Sequence, residues 1–184
     1  MLWRNSSQVY GLVAVLFHWL SALAIYGLFF LGWWMLTLTY YDQWYHLGPW
    51  WHKSIGVLLL LATLLRVLWK LINPSPVLEG GRWERIGARF GHLLLYLLLF
   101  VVLISGYLIP TAEGEGIAVF DSITFPPFFS GLTYDSTLIG KIHWYSAVIL
   151  VILSLGHALF AIKHHWFDQR DTLLRIFAKQ RRKS

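Results

Sequence analysis

The sequence predicts an all-α membrane protein: a four-helix transmembrane bundle in up-down topology, with both termini cytoplasmic. Three observations carry this expectation. Of 184 residues, 57% are hydrophobic and only 13% charged, where a soluble domain carries roughly 25% charge. Four long apolar runs alternate with connections, and each run can supply the roughly 20 residues a helix needs to cross a bilayer core. Finally, of 15 Lys and Arg, only Lys53 and Lys141 lie in or beside the first and third connections, which hold Asp42, Glu113, Glu115, Asp121 and Asp135. Lys and Arg gather on the cytoplasmic side of membrane proteins, so the second connection and both ends belong there.

The net charge of +6 follows from that placement. The basic tail, residues 163–184, reads as an anchor to the membrane surface and not as a nucleic-acid site. The chain has no cysteine, which excludes disulfides, iron–sulfur clusters and thiolate ligands. Metal chemistry is left to histidine and carboxylate.

The first helix is expected over about residues 10–39. It lacks the charged start and small-residue cleavage site of a removable signal and is too long for one, so it is read as retained. Trp33-Trp34, Tyr40-Tyr41 and Trp44-Tyr45 form an interfacial aromatic belt at its outer end. The second helix is expected over residues 50–72, where Asn73-Pro-Ser-Pro76 stops it by removing backbone donors. A cytoplasmic loop over residues 77–88 carries Arg82 and Arg85, with Arg89 just beyond it. The third helix, residues 90–109, ends at Pro110. The stretch from Thr111 to Thr137, with Gly114, Gly116, Gly131 and Phe125-Pro-Pro-Phe-Phe129, is expected to form a short re-entrant or interfacial piece on the periplasmic face. The fourth helix follows over residues 139–162, and Asp171 to Phe177 reads as a short amphipathic helix. No internal repeat divides the chain, which reads as one domain, 1–184.

Eight histidines punctuate this apolar sequence. His143 and His157 are fourteen residues apart on the fourth helix. That spacing points both imidazoles to nearly the same side, within roughly 40°, and separates them by about 21 Å along a core of about 30 Å. The topology puts His52 and His143 near the periplasmic face and His18, His92 and His157 on the cytoplasmic side. His46 falls in the first outer loop, and His164 and His165 fall at the inner boundary. A titratable side chain inside a bilayer is costly and is a functional candidate by default, although one alone is equally served by a helix–helix hydrogen bond.

Five such histidines in two depth groups, with no thiol, acid or methionine pair beside them, point to bis-histidine ligation of two b-type haems. Zinc or copper would want three or four ligands together. His52 pairs with His143 as the candidates at their depth, whereas His18, His92 and His157 combine in three ways. Arg66 lies fourteen residues after His52 and so faces the same way at the inner depth. A haem propionate would satisfy it, and snorkelling to the interface would serve it as well. Gly56, one turn after His52, leaves space for a porphyrin edge or for ordinary small-residue packing.

The runs Phe17-His-Trp-Leu-Ser21, His52-Lys-Ser-Ile-Gly56 with Leu65-Arg-Val67, Gly91-His-Leu-Leu-Leu-Tyr96, and His164-His-Trp-Phe167 with Asp171-Thr-Leu-Leu-Arg175 resemble the bacterial cytochrome b-561 family over nearly the whole chain. That fold is shared with the cytochrome b subunits of formate dehydrogenases and nickel–iron hydrogenases. The resemblance implies a four-helix, di-haem electron carrier of the bacterial inner membrane, and it pairs His18 with His157 and His52 with His143. His92 is left outside the ligand set, near a propionate or quinone.

The chain is also similar to the family's superoxide oxidases, which pass electrons from periplasmic superoxide to ubiquinone. His164, His165 and Arg89 are candidates for a quinone site, since a quinone carbonyl needs a donor or proton shuttle, and ordinary Arg and His at helix ends account for them as well. Lys53 and Lys141 form a cationic spot that would steer superoxide or a reduced periplasmic donor, and offsetting the nearby acids and propionates would account for it as well. The alternative is a haem-bearing membrane-anchor subunit of a larger dehydrogenase or reductase.

Overall fold

The computed structural model describes residues 3–129 and 135–176. Its elements are α1 (Leu12–Met35), α2 (Trp44–Ile72), α3 (Arg82–Thr111), the strands β1 (Ile117–Val119) and β2 (Ile123–Phe125), α4 (Ser136–Trp166) and α5 (Thr172–Ile176). Each of α1 to α4 is long and apolar enough to cross a membrane, yet only 17–22% of its most apolar stretch is buried within the protein. In water such stretches would have to turn inward. Side chains that face outward in this number require a lipid solvent, in which helices satisfy every backbone group internally.

The helix ends differ from the expected ones for local reasons. After Met35 the chain leaves α1 through successive turns, and the Asp42 carboxylate accepts hydrogen bonds from the Thr39 amide (2.6 Å) and hydroxyl (2.7 Å). α2 begins at Trp44 and not at Trp50, with Pro49 inside it. The proline's missing N–H leaves the Tyr45 carbonyl without the usual helical donor. α3 begins at Arg82, within the stretch expected as loop, because the Glu84 carboxylate reaches back to accept the Gly81 amide at 2.7 Å, as the acid of a capping box does. α4 starts where Asp135 Oδ1 accepts the amides of Thr137 (2.8 Å) and Leu138 (3.2 Å).

The third connection contains an antiparallel hairpin with Ile117 opposite Phe125 and Val119 opposite Ile123. Its turn holds Phe120 and Asp121 in the left-handed region (φ 49° and 56°). Gly131 and the chain from Phe177 onward lie outside the described residues, as does the last residue of the expected tail helix.

The helices divide between two compact units, one of residues 1–21, 62–96 and 152–184 and the other of residues 22–61 and 97–151. In the first, the N-terminal segment is tied to the α2–α3 connection: Asn5 donates to the Pro74 carbonyl (2.9 Å) and the Val77 amide to the Ser7 carbonyl (3.0 Å). Gly11 packs directly on the Arg4 backbone, leaving no room for a side chain. Arg175 on α5 donates to the Val77 carbonyl (2.7 Å) and pairs with Glu79 at 2.7 Å. In the second unit, Val57 on α2, Tyr107 on α3 and Ile117 on β1 form a buried cluster, with Phe125 and Val119 packed against it.

Candidate functional site

In the unit of residues 22–61 and 97–151, His52 on α2 faces His143 on α4 with ring centres 6.2 Å apart and planes at 74°. They line a cavity of about 300 Å³ whose walls are almost wholly apolar, Leu28, Leu103 and Leu150 among them, with Lys53 as its one charged residue. Glycines make room for both imidazoles. A Cβ on Gly106 of α3 would come 2.8 Å from His143 Cε1, and one on Gly32 of α1 would come 3.1 Å from His52 Cε1. Gly56 lines the cavity, and a Cβ there would meet nothing within 4 Å.

The two imidazoles are held differently. His143 Nδ1 donates to the Val102 carbonyl at 2.9 Å, with Ser105 Oγ at 3.3 Å. That bond fixes the proton on Nδ1 and leaves the Nε2 lone pair bare, as metal-ligating histidines require. His52 Nδ1 is buried without a hydrogen-bond partner. The hairpin closes on the same unit. The Phe120 amide donates to the fully buried Ser54 hydroxyl (3.0 Å) and the Trp50 indole to Asp121 (3.0 Å). The Tyr107 hydroxyl donates to the Pro126 carbonyl and accepts the Phe128 amide, each at 2.6 Å. Ile117, only 3% exposed, forms part of the cavity wall.

In the other unit, His18 on α1 and His157 on α4 have ring centres 6.4 Å apart with planes at 63°. His92 on α3 is closer to His157, at 5.3 Å. Arg66 on α2 donates from Nη2 to His18 Nδ1 at 3.1 Å, and its Cζ lies 5.4 Å from the centre of the Tyr96 ring. Lys70, one turn on, lies 4.8 Å from the same ring centre.

These spacings test whether the residues fit a b-type haem. An iron held by two imidazoles needs a gap between the rings wide enough for two metal–nitrogen bonds of about 2 Å each. The His52–His143 and His18–His157 spacings are nearly equal at 6.2 and 6.4 Å, and His92–His157 is tighter at 5.3 Å. The apolar cavity, the bare Nε2 of His143 and the orphaned Nδ1 of His52 agree with the first pair.

The remaining candidates lie apart from these pairs. His46 packs edge-on against Tyr40 and Tyr45. His164 Nδ1 donates to Asp168 at 2.6 Å, and His165 Nδ1 donates to the Arg170 carbonyl at 2.9 Å. Arg89 is exposed. Glu84, His164 and Asp168 bring nitrogen and oxygen atoms within 4.8 Å of one another, but Arg170 already pairs with Glu84 and Lys163 with Asp168. Gly32, Gly106, Ser105, Lys70 and Tyr96 were not singled out by sequence reasoning. The signals available for them were the turn spacing of Lys70 from Arg66 and of Tyr96 from His92.

The family model described as prokaryotic cytochrome b561 matches residues 9–179. Cytochrome b561 homolog 2 of Escherichia coli (strain K12) is 45% identical over 181 residues, 97% of this chain and 96% of that protein. Cytochrome b561 homolog 1 of the same organism is 25% identical over 130 residues, 71% of this chain and 73% of that protein. A protein of Yersinia pestis described as probable superoxide oxidase CybB is 29% identical over 133 residues, 71% of this chain and 74% of that protein.

Proposed function

The chain belongs to the prokaryotic cytochrome b561 family, whose members bind b-type haem and transfer electrons in the membrane, and we propose that it is a di-haem carrier linking a periplasmic donor to membrane quinone. His52 with His143 would hold one haem and His18 with His157 the other. The observation that carries this reading is the pair of ring-centre spacings, 6.2 and 6.4 Å. A haem held by two histidines would supply a one-electron couple suited to electron transfer and not to oxygen binding.

The protein's own residues do the rest. Val102 orients the His143 imidazole through its carbonyl. Leucines and Ile117 give the cavity an apolar wall. Gly56 opens space for a flat ligand, and Arg66 supplies a guanidinium for a propionate. His92, beside His157, lies outside the ligand pair. The distribution of Lys and Arg supports cytoplasmic termini in the bacterial inner membrane.

Lys53, at the cavity beside His52, and Lys141 on α4 form the cationic approach for the donor. Superoxide is the proposed donor, since a relative 29% identical to this chain is described as a probable superoxide oxidase. Two superoxide ions, each losing one electron and leaving as O2, would reduce one ubiquinone to quinol with two protons. His164, His165 and Arg89 remain the proposed quinone contacts. A reduced-minus-oxidised spectrum of the purified protein should show b-type bands. His52→Ala and His143→Ala should each lower haem content, and unchanged content in both would refute the ligand assignment. Superoxide-driven quinone reduction, compared between wild type and Lys53→Glu, tests the donor; no activity in either removes superoxide.

A further inference from the structure

Arg66 and Lys70 stand one turn apart on α2, and both lie over the Tyr96 ring of α3. The acids paired in this unit have other partners: Glu79 has Arg175, Glu84 has Arg170, and Asp168 has Lys163 and His164. None of the ion pairs among the described residues uses Arg66 or Lys70. Two cations on an apolar helix without an acid are costly in a membrane. An aromatic face offsets only a small part of that cost for each.

The bond from Arg66 to His18 has a chemical consequence. A guanidinium has donors and no acceptor, so His18 Nδ1 must be the bare nitrogen and Nε2 must carry the proton. Ligation through Nε2 reverses this and turns Nδ1 into a donor facing a donor. The hydrogen bond to Arg66 and ligation by Nε2 exclude one another. When His18 serves as a ligand, the Arg66 guanidinium must find another acceptor.

We propose that Arg66 and Lys70, stacked on Tyr96, form a receptor for the two propionate carboxylates of the haem that His18 and His157 would hold, and that Arg66 exchanges His18 for a carboxylate as His18 becomes a ligand. This rests on the di-haem reading and adds to it the group that orients the ligand. Arginine offers a carboxylate two parallel donors and lysine a compact point charge. Their common platform suits a ligand with two carboxylates.

The test compares haem b with its dimethyl ester. The full chain, produced without haem, is reconstituted with either compound, and bound haem is counted by its pyridine haemochrome. The acid should fill two sites, and the ester should bind the His18–His157 site at least tenfold more weakly. In the double variant Arg66→Gln/Lys70→Gln, acid and ester should bind that site equally weakly. In Lys70→Gln, one of two redox components should fall while the other stays, by about 59 mV for each tenfold loss of preference for the reduced form. Lys70→Arg should restore it. Equal binding of acid and ester by the wild type overturns the proposal. Because this comparison needs no substitution, it stands even if the double variant misfolds. Binding of neither compound at any site overturns the di-haem reading instead.

Discussion

Gly106 on α3 faces the edge of His143 on α4 so closely that a methyl group in its place would lie 2.8 Å from Cε1 and 3.1 Å from Nδ1. Real Cβ atoms do not sit at such distances, so the imidazole would have to move and take its bond to the Val102 carbonyl with it. Gly106→Ala should lower haem content measurably, and Gly106→Val should remove close to one haem of two. Pyridine haemochrome counts per protein check both. Full occupancy in the valine variant would show that His143 does not hold a ligand.

Gly56 makes the opposite case. A Cβ there meets nothing within 4 Å and points to the cavity. Gly56→Ala should fold and bind as the wild type does. Gly56→Phe should fill the cavity with apolar volume, preserving the helical circular dichroism while one haem is lost. Loss of helix content in the phenylalanine variant would mean that the glycine serves helix packing.

Tyr107 fastens the segment after β2 by donating to Pro126 and accepting from Phe128. Tyr107→Phe leaves the Phe128 amide without its acceptor and the Pro126 carbonyl without its donor, at a net cost of about 0.5–1.5 kcal/mol for each bond. The expected result is faster proteolysis between Pro126 and Phe129 in detergent, with the four long helices intact. An unchanged cleavage rate would show that the hairpin holds this segment without the hydroxyl.

Asp168 should give a pH signature at the end of α4. Hydrogen bonds from Lys163, and next from His164, hold its carboxyl below the ordinary aspartate value. A carboxylate depressed on folding keeps its contacts at every pH above the ordinary value of about 3.9 and loses them as pH falls through the lower folded value. The contribution is small, because Lys163 is half exposed and solvent screens the pair. Carboxyl NMR titration of labelled aspartates should find a midpoint below about 3.9 for Asp168, moving up toward that value in Lys163→Met.

How much of this was legible in the sequence depends on which force sets each feature. The four helices follow from apolar length and from Lys and Arg placement, since lipid demands little beyond them. Their ends do not: α2 starts six residues ahead of the expected Trp50 with Pro49 inside it, and the pairing of Gly81 with Glu84 passed as loop. The hairpin stayed hidden because its turn, Phe120-Asp121-Ser122, lacks the glycine or asparagine that usually marks one. Its left-handed residues are retained by contacts with Ser54 and Trp50, which lie far away in the chain. Depth and topology proposed His52 for His143, and resemblance alone proposed His18 for His157. Gly32 and Gly106 were not, because the sequence does not say which helix a glycine faces. Lys70 passed as one more charge at a cytoplasmic helix end.

The unequal settings of His52 and His143 have a consequence for order in time. His143 has its proton committed to Val102 and its Nε2 lone pair already presented, whereas the Nδ1 of His52 is bonded to nothing and its imidazole is free to change tautomer. One half of the pair is therefore preset and the other adaptable, so capture should begin at His143 and be completed by His52. In stopped-flow uptake, His52→Ala should retain the fast phase and stall at a five-coordinate spectrum, while His143→Ala should lose the fast phase itself. Loss of the fast phase in both would mean that the two rings close together, without a leader.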